Sequence, residues 1–454
     1  MMNLKNKTVT VVGLGNSGIN AAMLLCDVGA KVRATDSRNT PELKEAVKPL
    51  KARGASVELG VHTEGFIRGS DLIVLSPGVE DSSPAVRWAT EFGIPIIGEL
   101  ELGFNFCKGN IIAITGTNGK STVTTLIGEL AKNSGKDVVV CGNIGNSLCG
   151  EISRIGPHTW VVIEVSSFQL ERISRFKPHV AVILNVTDDH LDRYKKFDDY
   201  FTEKLKIFRN QDKGDFLILN YDADNLKALK VKACSRTFFY SRHQRLEGAF
   251  VKAGDIFSYV DGKQKKIGPV SDIRLKGVHN IENVLASLLA GELIGLDGRS
   301  MMDTVRKFKG LSHRCELVAT IDGVEYIDDS KGTTVDSTYR ALESFEKPVI
   351  LIAGGRDKNS DYSVIRDTVK KRVKNLILIG EARPKIKSVL GNVVDTREAA
   401  SMQEAVEIAR ELAAKNSVVL LSPMCSSFDM FKDYKHRGDV FKEAVKQLEG
   451  ALKR

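Results

Sequence analysis

"IIAITGTNGKST", Ile111 to Thr122, ends in Gly-Lys-Ser-Thr, the close of a phosphate-binding loop. The general pattern, G-x-x-x-x-G-K-[ST], expects glycine five positions before Gly119, where Ile114 stands. Context decides the reading. Upstream, "NIIAIT" is an apolar, β-branched run of the buried-strand type. Downstream, "STVTTLIGELAKNSG" carries a helical pattern that stops at Gly135. A glycine-bearing turn between a strand and a helix N-terminus is what a phosphate loop requires. Gly116 and Gly119 permit backbone angles that turn several N–H groups toward one anion. The helix start adds partial positive charge. Thr117 and Asn118 complete the turn, Lys120 reaches the outer phosphates, and the hydroxyl of Ser121 or Thr122 suits Mg²⁺.

Outward from this loop the chain reads as three α/β runs. The first, residues 1–98, alternates strands ("KTVTVVGLG", "KVRATD", "DLIVLSPGV") with helices. The second, residues 99–310, adds "DVVVCGN", "TWVVIEVSS", "HVAVILNVT" and "DFLILN". It also shows shorter strands over about 232–275 that read as a small antiparallel insert. The third, residues 311–454, carries "VEYIDDS", "PVILIAGG", "NLILIG" and "SVVLLSP" between basic amphipathic helices. Strands alternating with helices predict parallel sheets. The expected fold is therefore three α/β domains: Rossmann-like, P-loop ATPase-type and Rossmann-like.

At 454 residues the chain is too long for one core. No apolar run approaches a membrane helix, and the start lacks the pattern of a signal peptide. The seven cysteines (26, 107, 141, 149, 234, 315 and 425) form no C-x-x-C pair and read as buried thiols in a reducing compartment. The net charge of +9 accompanies no basic run with interleaved aromatics, so anionic small molecules explain it better than nucleic acid. A cytoplasmic monomer is expected.

Open α/β sheets bind ligands at strand C-terminal ends. Asn143, Glu164 and His190 all follow strands there. A lone residue of this kind is usually a cap or a solvated group. Three of them beside a phosphate loop point to a metal–phosphate site, because glutamate and histidine ligate divalent ions. Near the start, "GLGNSG" (13–18) is a G-x-G-x-x-G turn, with Asp36 about twenty residues on. It serves a dinucleotide or a UDP-sugar equally well. Read alone, Lys204 is a solvated helix lysine, Lys358 a loop lysine, and Tyr434 helix packing. Asn280 and Asn283 lie three apart on one helical face, where capping is the plain reading.

Taken together, "TGTNGKST", "GNIG", "EVSSFQL", "NVTDDHLDRY", "LKGVHNIENVLA", "LSHRCE" and "DDSKGTT" resemble the Mur ligases over nearly the whole chain. These are ATP-dependent, amide-forming enzymes of cell-wall precursor synthesis, and their loop has the same shortened form. "VVGLGNSG" with "ATDSR", and above all "LLSPMCSSFDMFKDYKHRG", resemble the D-glutamate-adding branch. Ser312 and Asp328 stand where proline and asparagine are common.

The resemblance implies transfer of the ATP γ-phosphoryl to the carboxylate of UDP-N-acetylmuramoyl-L-alanine, then attack by D-glutamate on the acyl phosphate. It implies ATP contacts at 116–122, Asn280, Asn283, Arg314, Asp329 and Lys331. Two Mg²⁺ are implied, at Ser121, Thr122, Glu164, His190 and a carbamylated Lys204. The UDP substrate falls to Asn16, Ser17, Asp36, Ser37, Arg38, Gly78 and Asn143. D-Glutamate falls to Thr333, Lys358, Ser427, Phe428 and Tyr434. Lys120, His190, Lys204 and Arg314 are the implied catalytic groups. Since these residues come from all three segments, the third domain is expected to close onto ATP.

Overall fold

Short runs of valine, isoleucine and leucine, buried on both faces, build the central strands of three sheets. The computed structural model describes residues 2–187, 194, 196–229, 233–275, 277–357 and 360–452. The first sheet holds β1 (Thr8–Val12), β2 (Lys31–Asp36), β3 (Ser56–Leu59), β4 (Leu72–Leu75) and β5 (Ile96–Gly98). All its pairs are parallel, in the order β3-β2-β1-β4-β5. Strand order reverses at β1, so a crevice opens beyond the C-terminal ends of β1 and β4. Helix Asn16–Asp27 packs close to the first turn because Gly18 has no side chain there. A Cβ on Gly18 would overlap the Gly13 carbonyl.

The helix Glu99–Phe106 leads into the second sheet. The carboxylate of Glu101 accepts the amides of Ser174, Arg175 and Phe176 at 2.9, 2.9 and 3.0 Å. That sheet holds β6 (Asn110–Thr115), β7 (Val138–Gly142), β8 (Trp160–Glu164), β9 (Val180–Ile183) and β10 (Phe216–Asn220). It continues through β11 (Arg236–Ser241), β12 (Gly248–Lys252), β13 (Asp255–Val260) and β14 (Lys263–Pro269). The order is β14-β13-β12-β11-β10-β9-β6-β8-β7. The antiparallel insert is real, but it extends the main sheet and begins later than expected. β11 and β12 still pair in parallel, and only β12–β13 and β13–β14 run antiparallel.

The third sheet holds β15 (Glu316–Ile321), β16 (Val324–Asp328), β17 (Val349–Gly354), β18 (Val373–Ile379), β19 (Asp395–Glu398) and β20 (Val418–Leu421). Its order is β15-β16-β20-β17-β18-β19, parallel except for β15. The edge strands β15 and β19 escaped the sequence reading; β19, Asp-Thr-Arg-Glu, carries no apolar residue. By packing, Met1–Ile273 with Ile281–Lys307 forms one compact unit, and Arg274–Asn280 with Phe308–Arg454 a second.

No helix among the described residues is long and apolar enough to cross a membrane. All seven cysteines are free. Cys141, Cys149 and Cys425 are buried as expected, but Cys26, Cys107 and Cys315 are half-buried and Cys234 is exposed. A thiol is small enough to sit at a surface without disturbing packing.

Candidate active site

The phosphate-type loop leaves β6 at Thr115 and enters helix Lys120–Asn133. Gly119 caps that helix at φ +84°, which a side-chain-bearing residue adopts only with strain. A Cβ there would also overlap Asn283 Oδ1. Asn283 is thus seated on the loop from inside helix Val278–Leu293, and neither it nor Asn280 is the helix cap. Lys120 Nζ donates to the carbonyls of Gly116 and Thr117, both at 2.8 Å. Asn185, just past β9, brackets the loop from the other side. Its Oδ1 accepts Asn118 N at 2.8 Å, and its Nδ2 donates to Asn118 O at 3.1 Å. Asn185 was not singled out from the sequence, although a polar residue ending the apolar run "VAVIL" was a usable signal.

Lys204 is no solvated lysine. It lies in helix Phe197–Leu205, is 1% exposed, and donates from Nζ to Gly116 O at 3.0 Å. The Tyr200 ring centroid is 4.4 Å from the same nitrogen, and the Tyr200 hydroxyl meets Thr117 Oγ1 at 3.2 Å. Glu164 closes β8, opposite Ile114 of β6 and Gly142 of β7. Its Oε1 accepts Asn143 Nδ2 at 2.8 Å. Its Oε2 is buried without a partner among the described residues. Ser121 and Thr122 are buried at the helix start. His190 lies outside the described residues.

Beyond β1 and β4 a cavity of about 630 Å³ opens. Asn16, Ser17, Asp36, Ser37, Arg38 and Gly78 line it, as does Asn143 from the second sheet. All seven residues expected at the UDP substrate therefore share one cavity. Gln169, missed from the sequence, lines it too and completes a capping box with Ser166. Asn20 and Asn146, also missed, join at 2.6 Å, which ties the first helix to the loop after β7.

Asp36 is already engaged. Its oxygens accept Leu14 N at 2.6 Å, Arg38 N at 2.8 Å, and the Arg38 guanidinium at 2.8 and 3.0 Å. Burial opposes its charge, but the Arg38 guanidinium and the two amides outweigh burial and bring its pKa down to about 2.

In the second unit, Arg314, Asp329, Lys331, Thr333 and Ser427 sit on the turns after β16 and β20 and before β15, and Tyr434 opens helix Tyr434–Leu452. Asp329 is buried, and burial pushes its pKa up to about 7. The Ser422 hydroxyl (2.7 Å), Arg314 and Cys315 N (3.2 Å) work the other way. Lys331 Nζ stands 5.6 Å from the Tyr434 ring centroid. Phe428 is 63% exposed. Lys358 lies outside the described residues. Arg437, missed from the sequence, is buried among these turns.

Family models match three successive segments. They are a MurD-like N-terminal domain of Mur ligases over residues 7–98, the Mur ligase middle domain over 114–291, and the Mur ligase glutamate ligase domain over 313–425. The curated UDP-N-acetylmuramoylalanine–D-glutamate ligase of Koribacter versatilis is 43% identical over 98% of this chain and 99% of its own length. Its namesake from Geotalea daltonii is 46% identical over 99% of both. Among solved structures, the UDP-N-acetylmuramate-alanine ligase MurC of Thermotoga maritima shares the fold at a TM-score of 0.60 and 18% identity, covering 97% of this chain and all of its own. MurF ligase of Thermotoga maritima, solved with ADP, gives 0.58 at 16% identity, covering 98% and 96%. The chain belongs to the Mur ligase family.

Proposed function

We propose that this chain joins D-glutamate to UDP-N-acetylmuramoyl-L-alanine with conversion of ATP to ADP and phosphate, in the cytoplasm, as a step of peptidoglycan precursor synthesis. One observation carries the reading: two lysines far apart in sequence, Lys120 and Lys204, converge on the Gly116 carbonyl of a phosphate-type loop. Full-length likeness to curated ligases of that name supports the choice of substrates.

The chemistry follows from the carboxylate. It is negative, and oxide is no leaving group, so an amine cannot displace it. Transfer of the γ-phosphoryl makes an acyl phosphate. The neutral amine of D-glutamate attacks its carbonyl carbon, a tetrahedral intermediate forms, and it collapses to the amide with loss of phosphate.

Positioning and positive charge do most of this work. The loop amides at 116–122 and Lys120 hold the triphosphate, with Lys120 turning from its own carbonyls to the phosphates. Asn280 and Asn283 are assigned to adenine. Arg314, Asp329 and Lys331 are assigned to ATP, and Thr333, Lys358, Ser427, Phe428 and Tyr434 to D-glutamate. The cavity beyond β1 takes the UDP part, where Arg38 faces the opening and Asp36 orients it.

The donor set fits a divalent ion, because the buried Glu164 Oε2 has no partner among the described residues. Ser121, Thr122, Glu164 and His190 would hold Mg²⁺, and a carbamylated Lys204 would serve a second. When bound, Mg²⁺ screens the triphosphate and polarises the γ-phosphoryl group. Carbamylation turns the Lys204 cation into an oxygen-bearing anion. Its nitrogen keeps one N–H, enough to preserve the bond to Gly116 O.

ADP release tests the reading against D-glutamate, L-glutamate, L-alanine and a diamino acid. Release is expected only with the nucleotide-sugar peptide and D-glutamate together. Release without D-glutamate, or preference for another amino acid, would overturn it.

A further inference from the structure

Arg437 lies in helix Tyr434–Leu452 and is 1% exposed. Among the described residues its hydrogen bonds go only to neutral oxygens. Nε donates to Ser330 Oγ at 2.9 Å and Nη2 to Ser330 O at 2.8 Å. Nη1 donates to Cys425 O at 3.1 Å and Ser426 O at 3.2 Å. The guanidinium makes no ion pair among the described residues. Asp328, Asp329 and Asp429 act on it only at longer range.

Three turns meet on this one side chain. Ser330 belongs to the turn after β16, and Cys425 and Ser426 to the turn after β20. The turn after β17 closes over both, since a Cβ on Gly355 would stand 3.1 Å from Nη1. Arg356 and Ser426 exchange backbone bonds at 2.9 and 3.1 Å, so residue 426 is held from two sides. Ser330 Oγ also donates to Tyr434 O at 2.8 Å. A buried guanidinium without a counter-anion is costly to the fold. Its field also reaches farther than that of a surface charge, because the surroundings screen it weakly.

We propose that Arg437 is the positioning residue that selects an incoming amino acid with an acidic side chain. It clamps the turns carrying Ser330 and Cys425–Ser427, and it stands behind them as a positive charge that no ion pair among the described residues takes up. This rests on the assignment of D-glutamate to the Ser427 turn.

Steady-state kinetics of Arg437→Met and Arg437→Lys test it, with D-glutamate and its neutral isostere D-glutamine as acceptors. Arg437→Met should raise KM for D-glutamate about tenfold or more, the scale of one lost charge-assisted hydrogen bond. KM for the nucleotide substrate should hold. The kcat/KM ratio of D-glutamate to D-glutamine should fall by about the same factor. Arg437→Lys, which keeps the charge without the fork, should retain most of that ratio while KM for D-glutamate still rises. Equal drift of KM for D-glutamate and for the nucleotide substrate, or an unchanged ratio in Arg437→Met, would overturn the proposal.

If the methionine variant does not fold, Ser330→Ala decides. It removes one acceptor, so KM for D-glutamate should rise while KM for the nucleotide substrate holds, and an unchanged value for D-glutamate overturns the clamp. A wild-type enzyme that prefers a neutral amino acid would overturn the proposed function as well. One that uses D-glutamate with a ratio indifferent to Arg437 overturns this inference alone.

Discussion

Lys120 rests on its own loop, donating to the Gly116 and Thr117 carbonyls. Both acceptors are backbone carbonyls that water can satisfy in its place, so Lys120→Ala should leave the thermal melt nearly unchanged. Turnover should fall by at least about 10²–10³-fold, the scale of losing one preorganised donor. ADP release checks this, and near-normal turnover would refute the role of the loop. Glu164→Gln keeps the bond to Asn143 but removes charge from Oε2, which has no partner among the described residues. The Mg²⁺ concentration for half-maximal rate should therefore rise, measured by titrating Mg²⁺ at fixed ATP.

Asp329 has its folded pKa raised to about 7 by burial. The unfolded value is about 4. Between these values the native state holds the extra proton. The stabilisation from this group is complete below about pH 4 and disappears as pH rises through 7. Asp329→Asn should remove that slope, seen as a smaller difference between urea midpoints at pH 5 and pH 8.

The turn between β6 and its helix depends on backbone freedom at one position. Gly119→Ala meets both the φ of +84° and the Asn283 side chain. It should destabilise by about 1–2 kcal/mol and raise KM for ATP, as shown by melts and ATP titration. The Glu101 staple is a second device at this scale. Glu101→Ala leaves three amides without their acceptor and should lower stability by about 3 kcal/mol or more.

For the whole molecule, both the cavity proposed for the UDP substrate and the phosphate-type loop lie in the first unit. UDP-N-acetylmuramoyl-L-alanine at about 100 times its Kd should stabilise that unit by about 2.7 kcal/mol. Calorimetry should resolve the transition that Glu101→Ala lowers, and the ligand should raise that same transition. An equal rise in every transition would contradict this placement.

Local patterning alone settled the phosphate-type turn, the parallel-sheet class and the three runs. Strand, turn and helix are neighbours along the chain there, and their periodicities are visible in a short window. Motif spacing was enough to suggest the family, because the residues of each motif are also close in sequence. Tertiary structure decided the rest. Lys204 read alone as a solvated lysine, and it is buried only because its helix returns to Gly116, 88 residues away. Arg437 was not singled out, and it is buried only because Ser330, 107 residues distant, lies against it. Burial and charge compensation arise from contacts between segments that no window spans, so the cavity, the bracket at Asn185 and the buried guanidinium became visible only once the sheets had assembled.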